Sequence, residues 1–195
     1  MSTVFSADGT AIGFDAWGDG PPLVMIDGAT AYRAMSPIAA QVGALLRDDF
    51  RTYAYDRRGR GESGDTPPYS VQREIEDVAA LIDEAGEPAF VCGFSSGAVL
   101  ALDAAAAGLP IRRLALFEPP FVVDDSRPPR PADYVERLDA AVAAGRPGDA
   151  VELFMTGRSG CRPRYWPACG RARSGPPWWR SPPPSPTTAA SWATR

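Results

Sequence analysis

An α/β fold built on a mostly parallel sheet is what this sequence predicts, on three observations. Short apolar runs recur at 23–26, 51–55, 89–92 and 113–117. Between them lie segments of helical length with apolar residues on one face. One junction, Gly93-Phe94-Ser95-Ser96-Gly97, has the small residues that a tight turn out of a buried strand requires. Strands alternating with helices argue a parallel sheet flanked by helices.

The elements follow in order. Residues 4–17 alternate loosely about Asp8-Gly9-Thr10 and read as a hairpin. Gly18-Asp19-Gly20-Pro21-Pro22 is a turn, and Leu23-Val24-Met25-Ile26 is a buried strand that Asp27-Gly28-Ala29-Thr30 ends. Residues 34–47 have helix-like spacing, with Ile38, Val42, Leu45 and Leu46 as the apolar face. Arg51–Tyr55 is the next strand, and 56–68 is a long polar turn. Ser70 caps a helix whose apolar face holds Val71, Ile75, Val78, Leu81 and Ile82, and Gly86-Glu87-Pro88 stops it. Ala89–Cys92 is a strand, 96–107 a small-residue helix, and Arg113–Phe117 a strand closed by Pro119-Pro120. From Pro131 the alternation stops, and 132–144 and 149–155 read as helices with no strand between them.

The 195 residues suffice for one domain with a core. A formal net charge of −4 gives the chain no strong field for nucleic acid, and no apolar run is long enough to span a bilayer. Met1-Ser2-Thr3-Val4-Phe5 lacks the start of a signal peptide, so a cytoplasmic location is expected. Cys92, Cys161 and Cys169 do not suggest a disulfide framework, and without histidine they are too sparse for zinc.

The averages hide a seam near Gly157. From Arg158 to Arg195 there is no Asp, Glu, Ile, Leu, Val, Phe or Met, while Trp166, Trp178, Trp179 and Trp192 all fall there. The last acidic residue is Glu152. The chain has no lysine and no asparagine and is rich in Ala, Arg, Gly and Pro, the residue usage of a GC-rich gene. The tail uses residue types that such a gene encodes readily out of frame. The seam therefore reads as a frameshift followed by an early stop. The expected organisation is a core over 1–130, the start of a helical cap over 131–157, and a disordered Pro/Arg/Trp-rich tail over 158–195.

Gly93–Gly97 carries the chemistry. A G-x-S-x-G turn between strand and helix exposes a serine on strained backbone, with small neighbours that let the chain fold back. The helix N-terminus aims N–H groups at the reacting centre, so the Ser96 N–H is placed to bind an oxyanion. Yet the chain contains no histidine, the usual base for a serine nucleophile.

Several motifs in order resemble those of the α/β-hydrolase fold family, over Val4 to Met155. Gly18–Val24 is similar to the lead into the family's third strand, and Asp27-Gly28-Ala29 to its oxyanion segment, with aspartate where histidine is common. Tyr55–Gly64 resembles the turn after the fourth strand, and Leu116–Pro120 the end of the sixth. The resemblance implies Ser95 as nucleophile and the backbone N–H groups of Ala29 and Ser96 as oxyanion hole. It implies a small-molecule substrate with an ester, thioester or related acyl bond, or cofactor-free haloperoxidase chemistry. No cofactor, metal, nucleic acid or membrane partner is expected, and oligomeric state is left open. Family order places an acid and then a histidine after the nucleophile, on strands seven and eight, and neither strand is found. The sheet is thus expected to end at its sixth strand with an open apolar edge. Glu118 is a candidate acid at the end of the sixth strand; otherwise it is a strand-end residue bonded to nearby backbone. Catalysis is expected to be strongly impaired. The alternative is a non-enzymatic hydrolase-like module that binds through its pocket or its basic tail.

Gly59-x-Gly61-x-x-Gly64 also fits the dinucleotide fingerprint, but Thr66-Pro67-Pro68 intervenes before the next helix. Arg57, Arg58 and Arg60 are expected to decorate a solvated turn rather than form a phosphate site.

Overall fold

Strand pairing follows the alternation in the sequence. The computed structural model describes residues 2–125 and 130–158. Its strands are β1 (Ser2–Phe5), β2 (Ala11–Trp17), β3 (Pro22–Ile26), β4 (Arg51–Tyr55), β5 (Ala89–Phe94) and β6 (Ile111–Phe117). They form one sheet in the order β1-β2-β4-β3-β5-β6. The pairs β4–β3, β3–β5 and β5–β6 are parallel, while β1–β2 and β2–β4 are antiparallel. The helices are α1 (Ile38–Leu45), α2 (Val71–Ala85), α3 (Ser96–Ala106), α4 (Tyr134–Ala143) and α5 (Pro147–Arg158).

The described residues up to Phe121 form one compact unit, and those from Val122 onward belong to another. In the first, β3 is buried along its whole length, which is why Pro22–Ile26 reads as an unbroken apolar run. The main core joins Ile12, Phe14, Val24, Ile26, Tyr53 and Tyr55 of the sheet to Val78 and Leu81 of α2 and Leu100 of α3. α2 is as expected: the Ser70 hydroxyl accepts from the Arg73 N–H at 3.3 Å, and Gly86 closes the helix at φ 76°. β6 pairs on one side only among the described residues and leaves Leu116 and Phe117 exposed.

α1 differs from its expected amphipathic face. Ala39 and Gly43 are buried, whereas Ile38 and Leu45 are exposed. The cause is close approach: a Cβ on Gly43 would lie 3.2 Å from the Trp17 ring and 3.3 Å from Thr52 Cβ. Small residues face the sheet because large ones do not fit there.

The turn after β4 departs further from expectation. Arg57, Arg58 and Arg60 are buried, not solvated. The turn closes on itself through Gly59 N–H to the Gly64 carbonyl at 2.9 Å, and Gly64 N–H bonds to the Ala11 carbonyl at 2.8 Å. Asp56 sits inside it and accepts from the N–H groups of Arg33 at 2.7 Å and Glu62 at 2.9 Å. Gly61, at φ 52°, packs so tightly on the Asp56 carboxylate that a Cβ has no room. The next helix starts at Val71, not at Gly64, so the dinucleotide fingerprint lacks its structural context.

Arg58 ties the β1–β2 hairpin to α2. Its guanidinium donates to both oxygens of Asp77, at 2.8 and 2.6 Å, and to Asp8 at 3.0 Å. Burial alone would raise the Asp8 carboxyl, but hydrogen bonds from Arg58 and Thr10 hold it below the usual range.

In the second unit α4 and α5 pack through Tyr134, Leu138, Ala141 and Ala150, with Leu153 and Phe154 against them. Gly145, at φ 68°, follows the end of α4, and Pro147 opens α5 where a missing N–H costs nothing. The composition seam falls inside α5, where Gly157 lies against the Tyr134 ring. The expectations for 159–195 lie outside the described residues. No helix among the described residues is long and apolar enough to cross a membrane.

Removing Asp77 takes from buried Arg58 its two-point carboxylate and leaves Asp8 as its carboxylate partner among the described residues. Asp77→Ala is expected to lower unfolding free energy by about 3–5 kcal/mol in a urea titration.

Candidate active site

Ser95 sits between β5 and α3 at φ 51° and ψ −117°. An L-residue reaches this backbone only under constraint, and two glycines supply it. A Cβ on Gly93 would collide with the Gly97 carbonyl oxygen and lie 2.6 Å from Ala98 Cα. A Cβ on Gly97 would collide with the Ile26 carbonyl oxygen and lie 2.7 Å from that of Asp27. The chain can therefore reverse only where both positions lack side chains. Ser95 N–H donates to the Phe117 carbonyl at 2.8 Å, which continues the β5–β6 pairing into the turn. Ser96 is the first residue of α3, whose first N–H groups have no partner within the helix.

The loop after β3 passes beside this turn. A Cβ on Gly28 would lie 3.3 Å from Ser95 Cβ and 3.2 Å from the Phe94 carbonyl oxygen. Gly28 thus packs close against the elbow, and Ala29 follows it. Thr30 follows at φ 66°, its hydroxyl donating to the Ala29 carbonyl at 2.6 Å. Among the described residues only Thr30, Ser95 and Glu118 combine a side chain with a left-handed φ. Glu118 directly follows Phe117, the acceptor for Ser95, and is exposed. All three thus border one junction, and strained backbone concentrates at functional sites.

Two buried arginines hold the junction from behind. Arg57 pairs with Glu74 through Nε at 2.6 Å and Nη2 at 2.7 Å. Its Nη1 reaches the Asp27 carbonyl at 3.3 Å and the Ser96 hydroxyl at 3.1 Å. One guanidinium therefore joins α2, the β3 loop and the first residue of α3. Arg60 Nη1 donates to the Gly28 carbonyl at 2.8 Å and the Ala31 carbonyl at 3.3 Å.

The charges are strongly perturbed. Burial would raise Glu74, but the Arg57 cation outweighs it and holds the carboxyl at about 2. Burial, helped by repulsion from Arg57, pulls Arg60 down to about 9. Burial pushes the Asp27 carboxyl up against the pull of Arg60 and a hydrogen bond from Ser36. Asp27 occupies the place where the resemblance sets a histidine.

The structure brings Ser95, Ser96 and the Gly28–Ala29 segment together and sets the Glu118 backbone one residue from the Ser95 acceptor. The sequence predicts both arginines on a solvated turn, whereas they are buried behind the junction. A pointer existed in Glu74 and Asp77, acidic residues on the otherwise apolar face of α2, which need buried cations. Among the described residues no group of three or more His, Cys, Asp and Glu could hold a metal ion.

A serine on a strand–helix elbow at the end of a parallel strand is the architecture of a hydrolase-type α/β domain. This chain belongs to the alpha/beta hydrolase family, whose family model matches residues 14–195. It is 53% identical to an alpha/beta hydrolase from Sphaerobacter thermophilus DSM 20745, with a TM-score of 0.81 over 97% of this chain and 69% of that one. It is 34% identical over 141 residues to a pimeloyl-[acyl-carrier protein] methyl ester esterase of Stenotrophomonas maltophilia strain R551-3, covering 71% of this chain and 52% of that protein. The bottromycin epimerase BotH is 27% identical, with a TM-score of 0.64 over 98% of this chain and 70% of that one. The chain spans about a third to a half of the length of the curated relatives it matches.

Gly→Ala inside a helix ordinarily stabilises by about 1 kcal/mol. At position 97 the sign is expected to reverse, because the new methyl meets backbone that has no other place to go. Gly97→Ala should cost about 3 kcal/mol, read by thermal unfolding followed by circular dichroism.

Glu74 is held below its ordinary value of 4.5, at about 2, so the stability it contributes is complete above 4.5 and is lost as pH falls between these values. The stability gap between the wild type and Glu74→Gln should be constant above pH 5 and narrow toward pH 2, in urea titrations across pH.

Proposed function

We propose that the chain derives from a serine hydrolase acting on ester, thioester or related acyl bonds of small molecules. Ser95 is the nucleophile and forms the acyl-enzyme. The N–H groups of Ala29 and Ser96 receive the oxyanion. The observation that carries this reading is the strained Ser95 backbone at φ 51°, confined by Gly93 and Gly97 and flanked by Gly28. Such strain is retained where a nucleophile must stand clear of the chain. Hydrolase and esterase relatives agree with it.

The chemistry proceeds by attack of Ser95 Oγ on the acyl carbon. The carbonyl oxygen gains charge and is received by the Ala29 and Ser96 N–H groups, a kind of stabilisation that is ordinarily the largest share of catalysis. Collapse expels the alcohol or thiol and leaves an ester on Ser95, and water releases the acid. Each stage needs a proton moved to or from Ser95, and this chain has no histidine to move it. With one member of a catalytic triad lost, only about 10³–10⁴-fold acceleration over water remains in a well-studied protease. Glu118 is the proposed acid partner, set beside the elbow on the β6 end, though with no imidazole to orient it contributes little. The absence of histidine favours a second reading, a non-enzymatic module that binds a small ligand.

A fluorophosphonate probe separates the two. The expected outcome is slow, stoichiometric labelling at Ser95, identified by peptide mass spectrometry and abolished by Ser95→Ala. A folded chain that takes no label would defeat the hydrolase reading and leave the binding module.

A further inference from the structure

The Gly28 carbonyl is bound from behind, and that constrains the N–H which follows it. In a trans peptide the carbonyl and the next N–H lie in one plane and point in opposite directions. The 28–29 peptide is trans, and its oxygen accepts from Arg60 Nη1 at 2.8 Å. The same nitrogen reaches the Ala31 oxygen at 3.3 Å, and Arg57 reaches that of Asp27 at 3.3 Å. Three carbonyls of one short loop are thus gathered on buried guanidinium groups. The Cβ direction of Gly28 points to Ser95, with 3.3 Å to its Cβ.

We propose that Arg60 is a positioning residue for the oxyanion hole: its grip on the Gly28 carbonyl sets the 28–29 peptide so that the Ala29 N–H faces Ser95. This rests on the serine-hydrolase reading above for its catalytic consequence, not for its geometry. Turning the peptide over would aim a carbonyl at the nucleophile and take from a buried cation its 2.8 Å acceptor, which is costly for a charged donor. The hole is therefore formed before substrate arrives. The guanidinium also polarises the peptide it binds, and a hydrogen bond on a carbonyl strengthens the N–H of the same unit as a donor. Arg57 does the corresponding work on the other side, since its Nη1 holds the Ser96 hydroxyl at 3.1 Å. The turn after β4, unremarkable as a polar loop in the sequence, thereby supplies the rigid backing of the site.

The test uses the full chain and Arg60→Met, Arg60→Gln and Arg60→Lys. Residual dipolar couplings report the direction of the Ala29 N–H without any turnover. Arg60→Met is expected to change the Ala29 coupling while those of β3 and β5 stay in place. Fluorophosphonate labelling of Ser95 should slow about tenfold or more in its maximal rate with unchanged probe affinity, as for partial loss of an oxyanion donor. Arg60→Lys should restore most of both, because it keeps a cation on the carbonyl. A merely structural role would lower the melting temperature and leave the coupling and the rate of the folded fraction unchanged, which overturns the proposal. If Arg60→Met does not fold, Arg60→Gln is read against Arg60→Lys, and equal Ala29 couplings in the two overturn it. If the wild type is not labelled, the hydrolase reading falls, and the couplings alone decide whether Arg60 sets the peptide.

Discussion

The buried pair of Arg57 and Glu74 is the interaction on which the arrangement of the site depends. Burying a guanidinium to 5% exposure carries a large desolvation cost, and Glu74 offsets it with a carboxylate in two-point geometry. Once neutralised, the remaining donor is free to reach the Asp27 carbonyl and the Ser96 hydroxyl. α2, the β3 loop and the start of α3 are separate in sequence and meet at this one planar group. Arg58 and Asp77 repeat the device one residue further along, between α2 and the β1–β2 hairpin.

Such pairs are weak evidence for stability as such, because desolvating two charges costs about as much as their attraction returns. What they supply here is direction. An aliphatic side chain at 57 or 60 would fill the same volume and leave the loop carbonyls free to turn. The guanidinium requires acceptors at fixed angles, and the backbone of 27–31 provides them. The elbow is rigid for a different reason. Gly93 and Gly97 meet backbone atoms at distances that leave no alternative path, so sterics hold Ser95 while electrostatics hold the loop beside it.

Most of the fold was legible in the sequence because its signals are local. β3, β4, β5 and α2 lie within a residue or two of where apolar runs, the Ser70 cap and Gly86 place them. The elbow was legible for the same reason: its glycines, serine and flanking strand are contiguous. The α1 face was not, since spacing singled out Ile38 and Leu45, while packing against Trp17 and Thr52 selected Ala39 and Gly43. The three arginines were misjudged because the prior for arginine in a polar turn is exposure. Only α2, carrying Glu74 and Asp77 on its buried face, makes their burial favourable.

By itself the sequence determined the order of strands and helices, the position of a serine at a tight strand–helix turn, and the absence of an imidazole. These follow from periodicity, turn chemistry and composition, each read within a few residues. Tertiary structure alone decided that Gly28 abuts Ser95, that Ser95 N–H finds the Phe117 carbonyl, and that Arg57 and Arg60 turn inward onto the loop. Those contacts join residues tens of positions apart. Their energies depend on burial and on the direction of carbonyl dipoles, quantities that arise only when the sheet has brought the segments together.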